Sequence, residues 1–282
     1  MEQPHHAHYA AHVATVQKHW EEALAAGPFD AALVHSGTPM YSFLDDYEYA
    51  FRPNPHFLWW LPLTHHADSV LLIEPGELPI LYYYQPDDYW YLPPADPESW
   101  WADHFTIEVT REASEWQRLL AGKLGSRTVA VGDSASLTEV LPRDNINPKA
   151  LLDRIHLART RKTPYEIACI DQAAHLAAGA HREAEKAFRE GESEFGIHLR
   201  YLAACRQSDY ELPYNNIVAL NTHGAVLHYQ ARERALPEQR HSFLIDAGCT
   251  VNAYASDITR TYAAAPGDFA DMIAAMDMLE LD

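Results

Sequence analysis

The sequence predicts an α/β unit over residues 1–157 followed by an α+β unit over residues 158–282. Three observations carry that expectation. Helix-period and strand-period stretches alternate through the first half. The run Thr163-Pro-Tyr-Glu166 then opens a new, long helical pattern. After a pair of helices the chain turns to four short strand-like stretches, the start of an α+β unit. A chain of 282 residues has room for roughly two domains.

From Ala10 to Ala26 the apolar residues Val13, Val16, Trp20 and Leu24 share one helix face, and Gly27-Pro28 stops the helix. Ala31 to His35 reads as a buried strand. Ser69–Ile73 and Ile80–Tyr84 flank Glu74-Pro-Gly-Glu77, a hairpin turn. Trp116 to Leu124 reads as a helix and Thr128 to Gly132 as a further strand. Two Pro- and aromatic-rich stretches, Phe51–Leu63 and Gln85–Trp101, lack periodicity and read as surface excursions that carry contacts.

In the second unit, Thr163 is the N-cap, Pro164 the first helical residue and Glu166 the third position of a capping box. The helix runs to about Glu190, with Ile167, Ile170, Ala174, Ala177, Ala184 and Phe188 as its apolar stripe, and Gly191 ends it. Ser193 opens a second helix to about Arg206. Strands are expected at Asn216–Leu220, Val226–Tyr229, Ser242–Asp246 and Asn252–Asp257, and a further helix from Phe269.

Composition removes several function classes. The formal charge of -19 argues against nucleic acid and anionic membranes, whose recognition rests on clustered Lys and Arg. No stretch approaches the roughly twenty apolar residues of a membrane span, and Met1-Glu-Gln-Pro lacks the basic start of a signal peptide. A cytoplasmic protein is expected. Cys169, Cys205 and Cys249 are odd in number and scattered, which disfavours both a disulfide framework and a thiolate metal site. Cys249 reads as a small buried apolar residue. His5, His6, His8 and His12 read as a solvated leader, Asp87-Asp88 as a surface turn, and His223 as a loop residue.

The chemistry concentrates in one run, Phe243-Leu-Ile-Asp246-Ala-Gly-Cys-Thr-Val-Asn-Ala-Tyr-Ala-Ser-Asp257-Ile-Thr-Arg-Thr261. Asp246 and Asp257 each follow a strand-like stretch and are separated by small turn residues, so a hairpin brings both carboxylates to one side. Paired hard oxygen ligands on a rigid sheet suit divalent cations. Taken alone, each aspartate is also compatible with an ordinary turn or edge position. Arg260 is expected to support the hairpin through a carboxylate partner.

This run resembles the metal-dependent peptidases of the pita-bread fold, and among them the bacterial Xaa-Pro dipeptidases. The resemblance extends to Pro213-Tyr-Asn-Asn-Ile-Val-Ala-Leu-Asn221 and Ala225-Val-Leu-His228-Tyr229. In the first half it covers His35-Ser-Gly37, Phe43-Leu-Asp-Asp46, Asn54-Pro-His-Phe and Pro86-Asp-Asp-Tyr-Trp90. It implies an α/β N-terminal domain and the first part of a creatinase/aminopeptidase-like α+β domain. By resemblance Asp246 chelates one of two divalent ions, manganese by habit of the family, and Asp257 bridges both. His228 lies beside the metals and hydrogen-bonds the substrate, Tyr214 lines the pocket, and Asp45 reaches into a neighbouring subunit, which implies a homodimer. A His and two Glu that complete the ligand set lie beyond residue 282 in such relatives.

The implied reaction is hydrolysis of Xaa-Pro dipeptides by a hydroxide between two cations about 3.5–4 Å apart. Two other readings stand beside it. One is a shortened relative that folds and dimerises without assembling the dinuclear site. The other is a metal-free binding module or creatinase-like hydrolase, disfavoured because such a site gives no reason to bury two unpaired carboxylates.

Overall fold

The computed structural model describes residues 5–132 and 134–281; the expectation for Met1 to Pro4 lies outside them. The chain divides into two compact units, residues up to Ala168 and residues from Cys169 onward. Each is described by itself.

The first unit is built on a five-stranded mixed sheet. Its strands are β1 (Ala31–His35), β2 (Val70–Ile73), β3 (Ile80–Tyr84), β4 (Thr106–Thr110) and β5 (Thr128–Val131). Their order is β4-β3-β2-β1-β5, with β1–β2 and β2–β3 antiparallel and β1–β5 and β3–β4 parallel. The helices are α1 (Tyr9–Ala25), α2 (Pro55–Trp60), α3 (Ser99–Ala102), α4 (Glu115–Leu120), α5 (Ser134–Leu137) and α6 (Lys149–Arg159). Ala31, Leu33, Val70, Leu72, Tyr82 and Ala130 form one core face with Trp116, Leu120 and Leu137 from α4 and α5. The alternating residues Ala32, Val34, Leu71, Ile73, Leu81, Val129 and Val131 are equally buried on the opposite face, as a sheet covered on both sides requires.

Several expectations are corrected here. The Phe51–Leu63 stretch is not a surface excursion: it contains α2, capped by the Asn54 side chain on the His56 amide (2.9 Å) with Pro55 at its start. Phe57, Trp59 and Trp60 are buried. Six residues are too few to display a helical period. Within the second excursion, α3 buries Trp101, and strand β4 and helix α6 were not anticipated. The expected helix from Trp116 to Leu124 is shorter and starts one residue earlier. The histidine leader is packed rather than solvated, except at His8, which is exposed. His5 is buried and His6 stacks on Trp100 with ring centroids 3.9 Å apart. His12 bonds the Thr163 hydroxyl (2.8 Å) and the Trp59 carbonyl (2.7 Å).

The long helix α7 (Pro164–Glu190) opens on the expected reciprocal capping box: the Thr163 amide donates to Glu166 Oε2 (2.7 Å) and the Glu166 amide to Thr163 Oγ1 (3.4 Å). Gly191, at φ +97°, ends it. The buried stripe is Cys169, Ala173, Ala177, Ala180, Ala184, Ala187 and Phe188, while Ile167 is exposed. The expected stripe is therefore rotated over the first turns, because small residues and not the isoleucines face the sheet.

The second unit packs α7 and α8 (Glu194–Cys205) on a three-stranded antiparallel sheet. Its strands are β6 (Ile217–Leu220), β7 (Ser242–Ala247) and β10 (Ile258–Ala263), in the order β10-β7-β6. Between β7 and β10 lies a two-stranded ribbon of β8 (Thr250–Val251) and β9 (Tyr254–Ala255), and α9 (Asp268–Leu281) follows. The core joins Ala180, Ala184, Phe188, Ile197 and Tyr201 to Val218, Leu220, Phe243, Ile245 and Ala247. Cys249 is fully buried in it, as the sequence suggested. The expected strand Val226–Tyr229 is absent. A 3-10 turn, Asn221–Ala225, runs into an irregular loop instead, because the His223 ring and Tyr229 hydroxyl are drawn to Glu194 rather than along the sheet. The expected strand Asn252–Asp257 contracts to the two residues of β9.

Candidate functional site

β7 alternates strictly. Phe243, Ile245 and Ala247 enter the helix-facing core, so Ser242, Leu244 and Asp246 point to the other face. In the ladder Asp246 pairs with Thr259 and Ala247 with Ile258. Asp257 stands two residues before Thr259, so the same alternation returns it to the Asp246 side. The ribbon β8–β9 makes this return possible. Asn252 and Ala253 both take positive φ, +49° and +69°, the demand of a tight two-residue hairpin turn.

The close approach is set by Gly248. A Cβ there would collide with the Ser256 carbonyl and sit 2.9 Å from Pro213 Cγ. Only a glycine lets the end of β7 lie this near the Ser256-Asp257 backbone. Buried Ser256 completes the lock: its amide donates to the Cys249 carbonyl (3.0 Å) and its Oγ accepts from the Cys249 amide (3.0 Å).

One side chain reads out the convergence. The Tyr214 hydroxyl lies 2.6 Å from Asp246 Oδ1 and 2.8 Å from Asp257 Oδ1. Burial, then its bonds to the two aspartates, pushes the Tyr214 pKa well up, so the phenol stays protonated. A phenol has one proton, and two carboxylates compete for it. A cation shared by Asp246 and Asp257 would meet the remaining charge, and hard oxygen donors of this kind fit a divalent ion. They supply part of a ligand set. Among the described residues no group of three or more His, Cys, Asp or Glu side chains is arranged to hold a metal.

Behind the pair, α7 contributes His181, buried, with Nε2 3.0 Å from the Ala247 carbonyl. Burial lowers its pKa first of all, so the ring is held neutral and fixes the end of β7. Sequence reading missed His181. Its position on the alanine stripe is the available signal. Among the described residues Arg260 does not find the carboxylate expected of it; its Nη1 donates to the neighbouring Thr259 carbonyl (2.7 Å).

His228 is exposed on the loop after the 3-10 turn, and among the described residues no hydrogen bond joins it to Asp246, Asp257 or Tyr214. The loop itself hangs on Glu194, another residue that sequence reading passed over. Its carboxylate, 1% exposed, accepts from the Leu220 amide, His223 Nδ1, the Tyr229 hydroxyl and the Glu233 amide, each at 2.7 Å.

In the first unit, Asp45 lies in an exposed turn, its Oδ1 accepting from the Asp46 amide (2.8 Å). Phe43 (88% exposed) and Leu44 (90%) flank it, and Tyr89, Trp90 and Leu92 are likewise exposed. Asp88, as expected of a surface turn, caps the Trp90 and Tyr91 amides. A separate cavity of about 600 Å³ opens at the carboxyl ends of β1 and β5, beside Gly37, Asn54, His56, Gly132 and His156. Among the described residues no helix is long and apolar enough to cross a membrane.

Comparison with known proteins adds two family matches: "Xaa-Pro dipeptidase, N-terminal domain" over residues 7–157 and "Metallopeptidase family M24" over residues 168–280. The chain is 45% identical over 275 residues to an Xaa-Pro dipeptidase of Xanthomonas campestris pv. campestris (strain B100), covering 97% of this chain and 62% of that protein. It is 46% identical over 271 residues to an Xaa-Pro dipeptidase of Stenotrophomonas maltophilia (strain K279a), with coverages of 95% and 60%. The chain thus spans about 62% of the length of such relatives. Among solved structures, zinc-substituted E. coli aminopeptidase P in complex with product superposes with a TM-score of 0.72 at 21% identity, over 95% of this chain and 67% of that one. Proline aminopeptidase P II from Yersinia pestis gives 0.66 at 22% identity, over 89% and 63%. These two likenesses are of fold.

Proposed function

We propose a function on this premise: the chain belongs to the Xaa-Pro dipeptidase family, with that family's N-terminal α/β domain followed by a pita-bread domain of metallopeptidase family M24. The reading is that it belongs to a cytoplasmic, homodimeric, manganese-dependent peptidase that hydrolyses Xaa-Pro dipeptides. One observation carries it: two carboxylates eleven residues apart converge on a single phenol proton.

Asp246 and Asp257 would hold divalent ions, which when bound make water nucleophilic near neutral pH and polarise the scissile carbonyl. The chain's own residues prepare the place. Tyr214, kept neutral, orients both carboxylates from one side. Gly248 and Ser256 fix their spacing through the backbone. His228, exposed and unencumbered by a bond to the pair, is available to hydrogen-bond the substrate carbonyl or move a proton. Dimerisation is supported by the exposed apolar rim around Asp45, a surface of the kind that marks a protein contact.

The test is manganese-dependent hydrolysis of Ala-Pro, with intact mass of the natural product and Mn2+ titration by calorimetry. Asp257→Asn is expected to weaken Mn2+ binding beyond the roughly 10- to 100-fold seen for outer-shell changes, and to abolish turnover. Full activity in that variant removes the bridging assignment. If the 282 residues bind Mn2+ weakly and turn over nothing while a longer product cleaves Ala-Pro, the ligand set is completed by further chain.

A further inference from the structure

The loop that bears His228 has no strand partner, yet its course is fixed, and the fixing group is remote in sequence. Glu194 is the first residue of α8, where a negative charge is favoured by the helix dipole. Its Oε1 accepts from the Leu220 amide and His223 Nδ1, and its Oε2 from the Tyr229 hydroxyl and the Glu233 amide. Each oxygen is saturated by two donors, and the four donors bracket residues 220–233. The same helix end is engaged in return: the Phe195 amide donates to the Glu233 carbonyl (3.2 Å), and Arg234 lies over the Phe195 ring at 4.2 Å. His223 stacks on Tyr229 with centroids 4.6 Å apart. Tyr229 is therefore pinned inward, and its neighbour His228 is left facing out.

We propose that Glu194 is the positioning residue of this loop, a buried carboxylate that holds His228 in its outward, substrate-facing attitude. The assignment of His228 to the substrate rests on the dipeptidase reading; the clamp itself does not. Glutamine is the discriminating replacement. It keeps the shape but puts an NH2 group against the two donors of one oxygen. The Tyr229 hydroxyl or a neutral His223 ring can turn to accept from it, whereas the backbone amide beside it cannot, so the Leu220 or the Glu233 amide loses its acceptor.

Hydrogen exchange on Glu194→Gln should show the Leu220 or the Glu233 amide, whichever meets the new NH2 group, opening roughly tenfold faster or more, while amides within β7 keep their protection. The 15N signal of His223 should also lose its Nδ1–H···carboxylate signature. Unchanged exchange at Leu220 and Glu233 overturns the proposal. Should Glu194→Gln fail to fold, Tyr229→Phe and His223→Ala each remove one donor; exchange in 221–233 that rises in neither also overturns it. In protein active on Ala-Pro, Glu194→Gln should lower kcat at least tenfold with Mn2+ affinity retained; a loosened loop with kcat and KM intact overturns the positioning role. If neither the 282 residues nor the natural product ever cleaves Ala-Pro, the dipeptidase reading falls instead, and exchange alone then decides the clamp.

Discussion

The Asp246–Asp257 hairpin and the His228 loop belong to the same unit but are held by different means. The hairpin is fixed by its own backbone: a ladder in register, a tight turn, and one glycine where two strands nearly touch. The loop is fixed by a side chain from α8, with donors 26 to 39 residues away in sequence. Backbone devices tolerate no added atom at their contacts, whereas a carboxylate clamp fails on a change of chemistry even where the shape is kept.

The largest expected effect follows at Gly248. In Gly248→Ala the new methyl meets backbone on one side and the Pro213 ring on the other, neither of which is a flexible chain end. Overpacking of this kind costs about 1–3 kcal/mol, and the upper end is expected here. A thermal or urea melt measures it, and Tyr214 should lose one of its two aspartate contacts as the strands part. A variant as stable as wild type would mean that the β7–Ser256 approach is not what spaces the carboxylates.

That difference also explains what could be read in advance. Alternation and small turn residues announce the hairpin, and the capping box at Thr163 announces α7, because those signals are local. The convergence of Asp246 and Asp257 was legible for the same reason, whereas Tyr214 entered only through the family resemblance, as a pocket residue, and its bond to both carboxylates comes from the fold. Glu194 and His181 were not legible, since nothing in a helix sequence says which strand or loop will supply its hydrogen-bond partners. The stretch Val226–Tyr229 misled for a related reason. Its composition suits a strand, but the clamp takes Tyr229 elsewhere. In the first unit α2 hid in six residues, where an aromatic cluster looks alike whether it packs or protrudes.

A smaller, pH-dependent effect separates the loop from the hairpin. The far end of the loop is held by Arg232, which donates to the Asn216 carbonyl (3.1 Å) and lies 3.6 Å from Asp209. Asp209 in turn meets buried His198 at 3.1 Å. Burial lowers the His198 pKa first, and Arg232 lowers it further, against the pull of Asp209. Below the ordinary histidine value of 6.5 the unfolded chain therefore binds the proton more readily than the folded one. Stability is complete above that pH and falls as the solution is acidified. Comparing melts of wild type and His198→Gln isolates this contribution from the other histidines. The wild-type curve should fall more steeply below pH 6.5, and parallel curves would remove His198 from the loop's support.

The smallest effect runs in the stabilising direction and sharpens the account of the hairpin. Ala253 sits at φ +69° in the turn between β8 and β9, where an L side chain is strained and glycine is not. Ala253→Gly removes that strain but gives the unfolded chain more freedom, and the two oppose each other. The strain of a left-handed residue is about 1–2 kcal/mol and the entropic penalty about 0.5–1 kcal/mol. A net gain of roughly 0.5–1 kcal/mol should remain, seen as a rise in melting temperature with the Asp246 and Asp257 contacts to Tyr214 unchanged. A loss of stability would show that the turn is dictated by its neighbours rather than by its own two residues. The carboxylates would then owe their spacing to Gly248 and Ser256 alone.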